Sequence, residues 1–142
     1  MLVDSSVLIA ILKEEHESDD FLERIARAES LEMSSASYLE TGIVAYQNKD
    51  ALLSRRVNEI IKSFAITIFP VTEAQAKRAR AAYRQYGKGS GHSAGLNFGD
   101  CFSYALAIES AQPLLFKGQD FGATDVLAAR TGQMDWRLAC LV

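Results

Sequence analysis

Short apolar runs and longer segments of helical periodicity alternate along this chain. Leu2 and Val3 form a brief run that ends at Asp4, and residues 7–13 follow as a helix that Ser5 or Ser6 can cap. Within residues 18–28, Phe21, Leu22, Ile25 and Ala28 recur at helical spacing with charges on the other side, which predicts a second, amphipathic helix. A strand over 31–33 then leads to a helix ending near Gln47, with Leu39, Ile43 and Tyr46 as its inward positions. In this helix Ser37 and Glu40 have the spacing of a capping box, yet Glu40 also lies one turn from Ile43 and so faces the interior, where a carboxylate needs a partner. Residues 51–64 repeat the amphipathic pattern, and 66–71 read as a third strand. Thr72 and Gln75 box the start of the next helix, whose packed stripe is Ala76, Ala79, Tyr83 and Tyr86 and which stops at Gly87.

The stretch from 96 to 125 organises the rest. An apolar run from Cys101 to Ile108 is a helix apolar on nearly every side, which belongs in the middle of a domain. It breaks at Gln112 and Pro113, and Leu114 to Phe116 make a short buried strand. Strands that alternate with helices in this way imply a mainly parallel sheet flanked by helices, an α/β class. Asp4 and Asp120 then follow the carboxyl ends of parallel strands, while Asp100 and Glu40 occupy the first turns of helices on the same side. That crevice is where open α/β sheets bind ligands, and acids gathered there call for a cation. Taken singly, each has a structural reading: Asn97 with Asp100 is a helix cap with an acidic first turn, and Asp120 can cap the segment after it.

Composition narrows the class. The chain has 142 residues, 49% of them hydrophobic, with two prolines and no repeat, so a single domain spanning 1–142 is expected. Cys101 and Cys140 lack metal-site spacing, and the apolar segment 7–12 is too short to cross a bilayer and has no basic region before it, so a reduced, cytoplasmic protein is expected. The net charge of −3 argues against binding a polyanion by bulk charge. Its distribution argues otherwise, because no acid occurs between Glu73 and Asp100. Lys77, Arg80, Arg84 and Lys88 recur there every three or four residues, a one-sign stripe that costs self-repulsion and suits an anionic partner. The loop 87–95 beside it is glycine-rich and carries His92.

The residues now carry a resemblance. Asp4-Ser5-Ser6-Val7, then Glu40, then Leu96-Asn97-Phe98-Gly99-Asp100-Cys101-Phe102, then Leu115-Phe116-Lys117-Gly118-Gln119-Asp120-Phe121 resemble the PIN-domain ribonucleases, and within them the VapC toxins of bacterial toxin–antitoxin pairs. The resemblance spans essentially the whole chain. It implies a PIN-like three-layer sandwich and an endoribonuclease whose metal-binding acids match Asp4, Glu40, Asp100 and Asp120. Asp125, close to Asp120, is the alternative or helper for the fourth acid, and Ser6 matches the side chain that supports the first. The resemblance also implies Mg²⁺, with Mn²⁺ as a substitute, a VapB-type antitoxin, and a homodimer that becomes a heterotetramer or larger with it. The physics agrees: converging carboxylates raise one another's pKa unless a cation offsets them, and oxygen-only ligands suit Mg²⁺ or Mn²⁺ rather than zinc. The antitoxin is expected to bring an arginine to the acids and to lie on the helices of the first half, with Phe21, Leu22, Ile25 and Tyr46 among its apolar contacts.

Two other classes gather acids around Mg²⁺. A phosphatase of the Asp-x-Asp kind is excluded by Ser6, and a receiver domain by the absence of an aspartate at Val71 and Thr72. A silent PIN-like binding module would lack one of the acids, and none is missing.

Overall fold

The computed structural model describes residues 1–129; Cys140 lies outside them. Elements follow in the order β1 (Leu2–Val3), α1 (Ser5–Leu12), α2 (Ser18–Arg27), β2 (Glu32–Ser34), α3 (Ser35–Gln47), α4 (Ala51–Ser63), β3 (Thr67–Phe69), α5 (Glu73–Tyr86), α6 (Phe98–Ser110) and β4 (Leu114–Leu115), with a 3₁₀ turn at Phe121–Ala123. The four strands are parallel and stand in the order β3-β2-β1-β4. Successive crossovers build outward from β1 to β3, and the last one returns to the far side of β1. The direction reverses between β1 and β4, which makes their carboxyl ends the switch point at which such sheets open a crevice.

The pleat explains how two-residue strands hold three layers together. Leu2 pairs with Leu114 and Val3 with Leu115, and neighbouring residues of a strand point to opposite faces. Leu2 and Leu114 accordingly join the core beneath α5 and α6, with Ala79, Ala82, Tyr86, Tyr104 and Ala105. Val3 and Leu115 join the opposite core, with Val7, Phe21, Ile25, Leu31, Met33 and Ile66. The central sheet flanked by helices is as expected. Among the described residues, no helix is long and apolar enough to cross a membrane.

Several faces differ from the sequence reading. On α3, Leu39, Ile43 and Tyr46 point outward, Tyr46 being 79% exposed, and Ser37, Thr41 and Ala45 are the buried positions. The helix runs close against α1 and α6 through this small-residue face, and apolar periodicity alone selects the wrong side. On α5 the buried stripe is Gln75, Ala79, Ala82 and Tyr86, while Ala76 and Tyr83 are exposed. Thr72 accepts from the Gln75 amide as expected, but the Gln75 side chain turns to Glu109 at 2.6 Å instead of closing a box. Of the four residues expected to meet an antitoxin, Phe21 and Ile25 belong to the core, Leu22 packs half-buried against it, and Tyr46 is free on the surface. Gly87 ends α5 with extended rather than left-handed backbone (φ −71°, ψ 164°); its requirement is room, since a Cβ there would lie 2.3 Å from the Tyr83 carbonyl oxygen.

Candidate active site

Asp4 leaves β1 at the switch point and is itself the cap of α1: its Oδ2 accepts a 3.0 Å bond from the Ser6 amide. Ser5 and Ser6 are therefore the first helical residues, not caps. The carboxylate is 2% exposed, and its Oδ1 accepts a 2.6 Å hydrogen bond from Ser103 Oγ. Glu40 makes no capping box with Ser37. Ser34 caps α3 by accepting from the Ala36 amide, so Ser37 lies inside the helix, and Glu40 accepts a 2.9 Å bond from Ser5 Oγ instead. Its carboxylate rests on the start of α6 at Gly99, where a Cβ would come within 2.5 Å of a Glu40 oxygen. The glycine lets the carboxylate approach a helix N-terminus, which favours negative charge.

Asp100 has the capping role that the sequence allowed. It closes a reciprocal capping box with Asn97, each accepting from the other's amide at 2.9 Å. At the same time its carboxyl is pushed up to about 6, first by burial and then by the charges of Asp4, Asp120 and Glu40, against the lowering effect of the Asn97 amide. Glu40 is raised by burial and by Asp4, with the Ser5 hydroxyl opposing. Asp120 is exposed at the head of the 3₁₀ turn without a side-chain capping bond. Asp125 has another place: its Oδ1 accepts from Tyr104 Oη at 2.8 Å and from Tyr86 Oη at 3.4 Å, tying the segment after β4 to α5 and α6.

The charges of Asp4, Glu40 and Asp120 thus act together on Asp100, brought by segments far apart in sequence. Among the described residues, no three His, Cys, Asp or Glu side chains are gathered at ligand distance around one point. The chemistry of the acids still fits a hard divalent cation. The donors are all carboxylate oxygens, hydrogen bonds occupy only one oxygen each of Glu40 and Asp100, and like charges raise Asp100 where a cation would lower it.

Ser6 serves Asp4 through its backbone, while its hydroxyl accepts from the Lys117 amide at 3.0 Å and so ties the ends of β1 and β4 together. The Lys117 ammonium is engaged by Glu15 and, at 3.5 Å, by Glu17. Lys77, Arg80 and Arg84 are exposed on α5 and Lys88 in the loop just after it, with Lys77 paired to Glu73 at 2.6 Å. Arg80 borders a surface hollow with Tyr83, Phe98, Cys101 and Phe102, beside the first turn of α6. His92 packs edge-on against Tyr86, 4.8 Å between ring centroids, and its Nδ1 accepts from the Ala94 amide. Sequence reasoning missed Ser5, Ser37, Gly99 and Ser103 as partners of the acids. Ser103 carried a signal, as a hydroxyl within the apolar run of α6, one turn after Asp100.

Comparison with known proteins identifies the family. The PIN domain family matches residues 1–127. Ribonuclease VapC28 of Mycobacterium tuberculosis is 51% identical over 129 residues, covering 91% of this chain and 97% of the relative. Ribonuclease VapC of Mycolicibacterium smegmatis is 46% identical over 128 residues, covering 90% and 98%. The solved structure of Mycobacterium tuberculosis VapC20, described as a sarcin-ricin loop cleaving toxin, shares the fold at a TM-score of 0.75 with 16% identity, covering 91% of this chain and 98% of that one. A toxin–antitoxin complex from Klebsiella pneumoniae gives 0.66 at 19% identity, covering 87% and 92%. With the family matched over nearly its whole length and half its residues shared with a VapC ribonuclease, this chain belongs to the PIN-domain family and, within it, to the VapC ribonucleases.

Proposed function

We propose that this protein is a metal-dependent endoribonuclease, the cytoplasmic toxin of a VapBC-type pair, built as one domain around Asp4, Glu40, Asp100 and Asp120. The observation that carries the reading is the placement of the acids: Asp4 is buried at the switch point of the sheet, Glu40 is held by the adjoining Ser5 and rests on Gly99, and Asp100 follows Gly99 in the first turn of α6. Asp4, Glu40, Asp100 and Asp120 are the residues that would hold a Mg²⁺ or Mn²⁺ ion. Asp120 is preferred to Asp125 because Asp125 is engaged by two tyrosines. When bound, such an ion supplies a lowered pKa for a coordinated water and stabilises charge developing on the phosphodiester. The chain's own part is to keep the acids oriented: the Ser6 amide and Ser103 hydroxyl on Asp4, Ser5 on Glu40, and the Asn97 amide on Asp100.

The partner is a VapB-type antitoxin, and the toxin pairs with itself as well. The exposed apolar side chains Leu39, Ile43 and Phe98 around the hollow next to Glu40 support an interface on this side of the molecule. The test is RNA cleavage by the purified chain. We expect cleavage with Mg²⁺, none after chelation with EDTA, and suppression when the chain is co-purified with the product of the adjacent reading frame. Cleavage that persists undiminished in EDTA would refute the metal assignment.

The basic stripe of α5 guides RNA toward the acids. Replacing Arg80 and Arg84 by Gln should weaken binding similarly for different RNA sequences and flatten the dependence of log affinity on log salt by roughly 0.7 per residue removed, the value for single strands. An unchanged slope would return the stripe to the role of a solvated helix face.

A further inference from the structure

The Asp4 carboxylate is supported from behind by more than its cap. Ser103, on α6 and 4% exposed, donates to Asp4 Oδ1 at 2.6 Å. Behind Ser103 stands Ser37, on α3 and 1% exposed, with 2.9 Å between the two hydroxyl oxygens. A serine hydroxyl has one proton. Since that of Ser103 is given to Asp4, the contact behind it must have Ser37 as the donor. Thr41 in turn donates to the Ser37 carbonyl oxygen at 2.9 Å, filling the same small-residue face of α3. The two hydroxyls therefore form a chain with one sense, Ser37 donating to Ser103 and Ser103 to Asp4, across the packed junction of α3, α6 and the end of β1.

We propose that Ser103, backed by Ser37, is a positioning residue that fixes the Asp4 carboxylate in the orientation that receives the divalent cation. The proposal rests on the reading of Asp4 as a cation ligand. With Oδ1 held by Ser103 and Oδ2 by the Ser6 amide, rotation about the Cβ–Cγ bond is blocked, and the lone pairs left on both oxygens keep a fixed direction. The ordering is complete on folding and is not charged again to cation binding. Hydrogen bonds in series also polarise one another, so Ser37 strengthens the bond that Ser103 makes. Partners of this kind, behind a ligand rather than on the ion, change metal affinity by about 10- to 100-fold when removed. The competing role for the two serines is structural, the satisfaction of a buried carboxylate and nothing more. It predicts lost stability with unchanged affinity.

The experiment is calorimetric titration of the full-length chain with Mn²⁺ alone, without RNA, beside thermal melting of the metal-free protein. Ser103→Ala should raise the Kd for Mn²⁺ by about tenfold or more, Ser37→Ala by a smaller factor of about two to three, and Ser103→Thr, which restores the hydroxyl, should recover most of the loss. Ser37→Ala stands two bonds from the carboxylate, so it still reports if Ser103→Ala folds poorly. Wild-type Mn²⁺ affinity in both alanine variants, with only the melting temperature lowered, overturns the positioning role and leaves Asp4 as a ligand. Failure of the wild-type chain to bind Mn²⁺ overturns the cation reading itself, and the proposal with it.

Discussion

Asp4→Asn should remove RNA cleavage while leaving the protein folded, with a loss in rate of about a thousandfold or more. The substitution keeps the volume of a side chain that is 2% exposed, and it deletes the charge that a divalent ion needs. Losing the ion's hold on the reacting phosphate removes several kcal/mol of transition-state stabilisation, and each 1.36 kcal/mol is a factor of ten. The asparagine oxygen can still accept from Ser103 or from the Ser6 amide, so the cap of α1 survives. The measurement is single-turnover cleavage of a structured RNA with Mg²⁺, alongside the circular dichroism of both proteins. A folded Asp4→Asn protein that cleaves at the wild-type rate would remove Asp4 from the metal site.

Asp100→Asn should be equally inactive but more stable than the wild type in the absence of metal, and the gain should depend on pH. The folded protein holds the Asp100 carboxyl at about 6, against an ordinary value of 3.8. Between these values the folded state keeps a proton that the unfolded chain releases, so stability falls as pH rises through the window and the cost is complete above about 6. A rise of this size corresponds to roughly 3 kcal/mol as an upper figure. Asp100 is partly open to water, and screening reduces the figure to about 1–2 kcal/mol. The variant abolishes this cost, and an asparagine oxygen still accepts from the Asn97 amide. Denaturant melts in EDTA should therefore show the variant ahead at pH 7.5 and level with the wild type near pH 4. Added Mg²⁺ should stabilise only the wild type and close the gap at high pH. A variant less stable than the wild type at pH 7.5 would mean that Asp100 acts chiefly as a helix cap.

The two variants separate roles that coincide in the wild-type residues. Asp4 is the N-cap of α1 and Asp100 the third-residue member of the capping box of α6, and both are carboxylates. A capping role alone predicts destabilisation in each case and no response to metal. Repulsion among acids predicts the opposite sign.

The sequence by itself determined the architecture, because alternation of short apolar runs with helical periodicity leaves a parallel sheet between helices as the arrangement that buries both kinds of surface. It also indicated four acids, since Asp4 and Asp120 follow strands and Asp100 and Glu40 open helices, and in a parallel sheet those positions share one edge. Tertiary structure decided everything that depends on which face of a helix meets which neighbour. Leu39, Ile43 and Tyr46 have the periodicity of a core stripe, yet α3 turns its serine, threonine and alanine inward, on the side where it packs close against its neighbouring helices. That same close approach brings Ser37 and Ser103 into contact and aims the pair at Asp4, although 66 residues separate the two serines and 99 separate Ser103 from Asp4. The distinction between Asp120 and Asp125 was also tertiary. The two lie five residues apart in one segment, and Tyr86 and Tyr104 on the adjoining helices donate hydrogen bonds to Asp125. Local sequence carries the periodicity of an element and its capping residues, whereas the partners of a buried polar group are chosen by packing between elements distant in the chain.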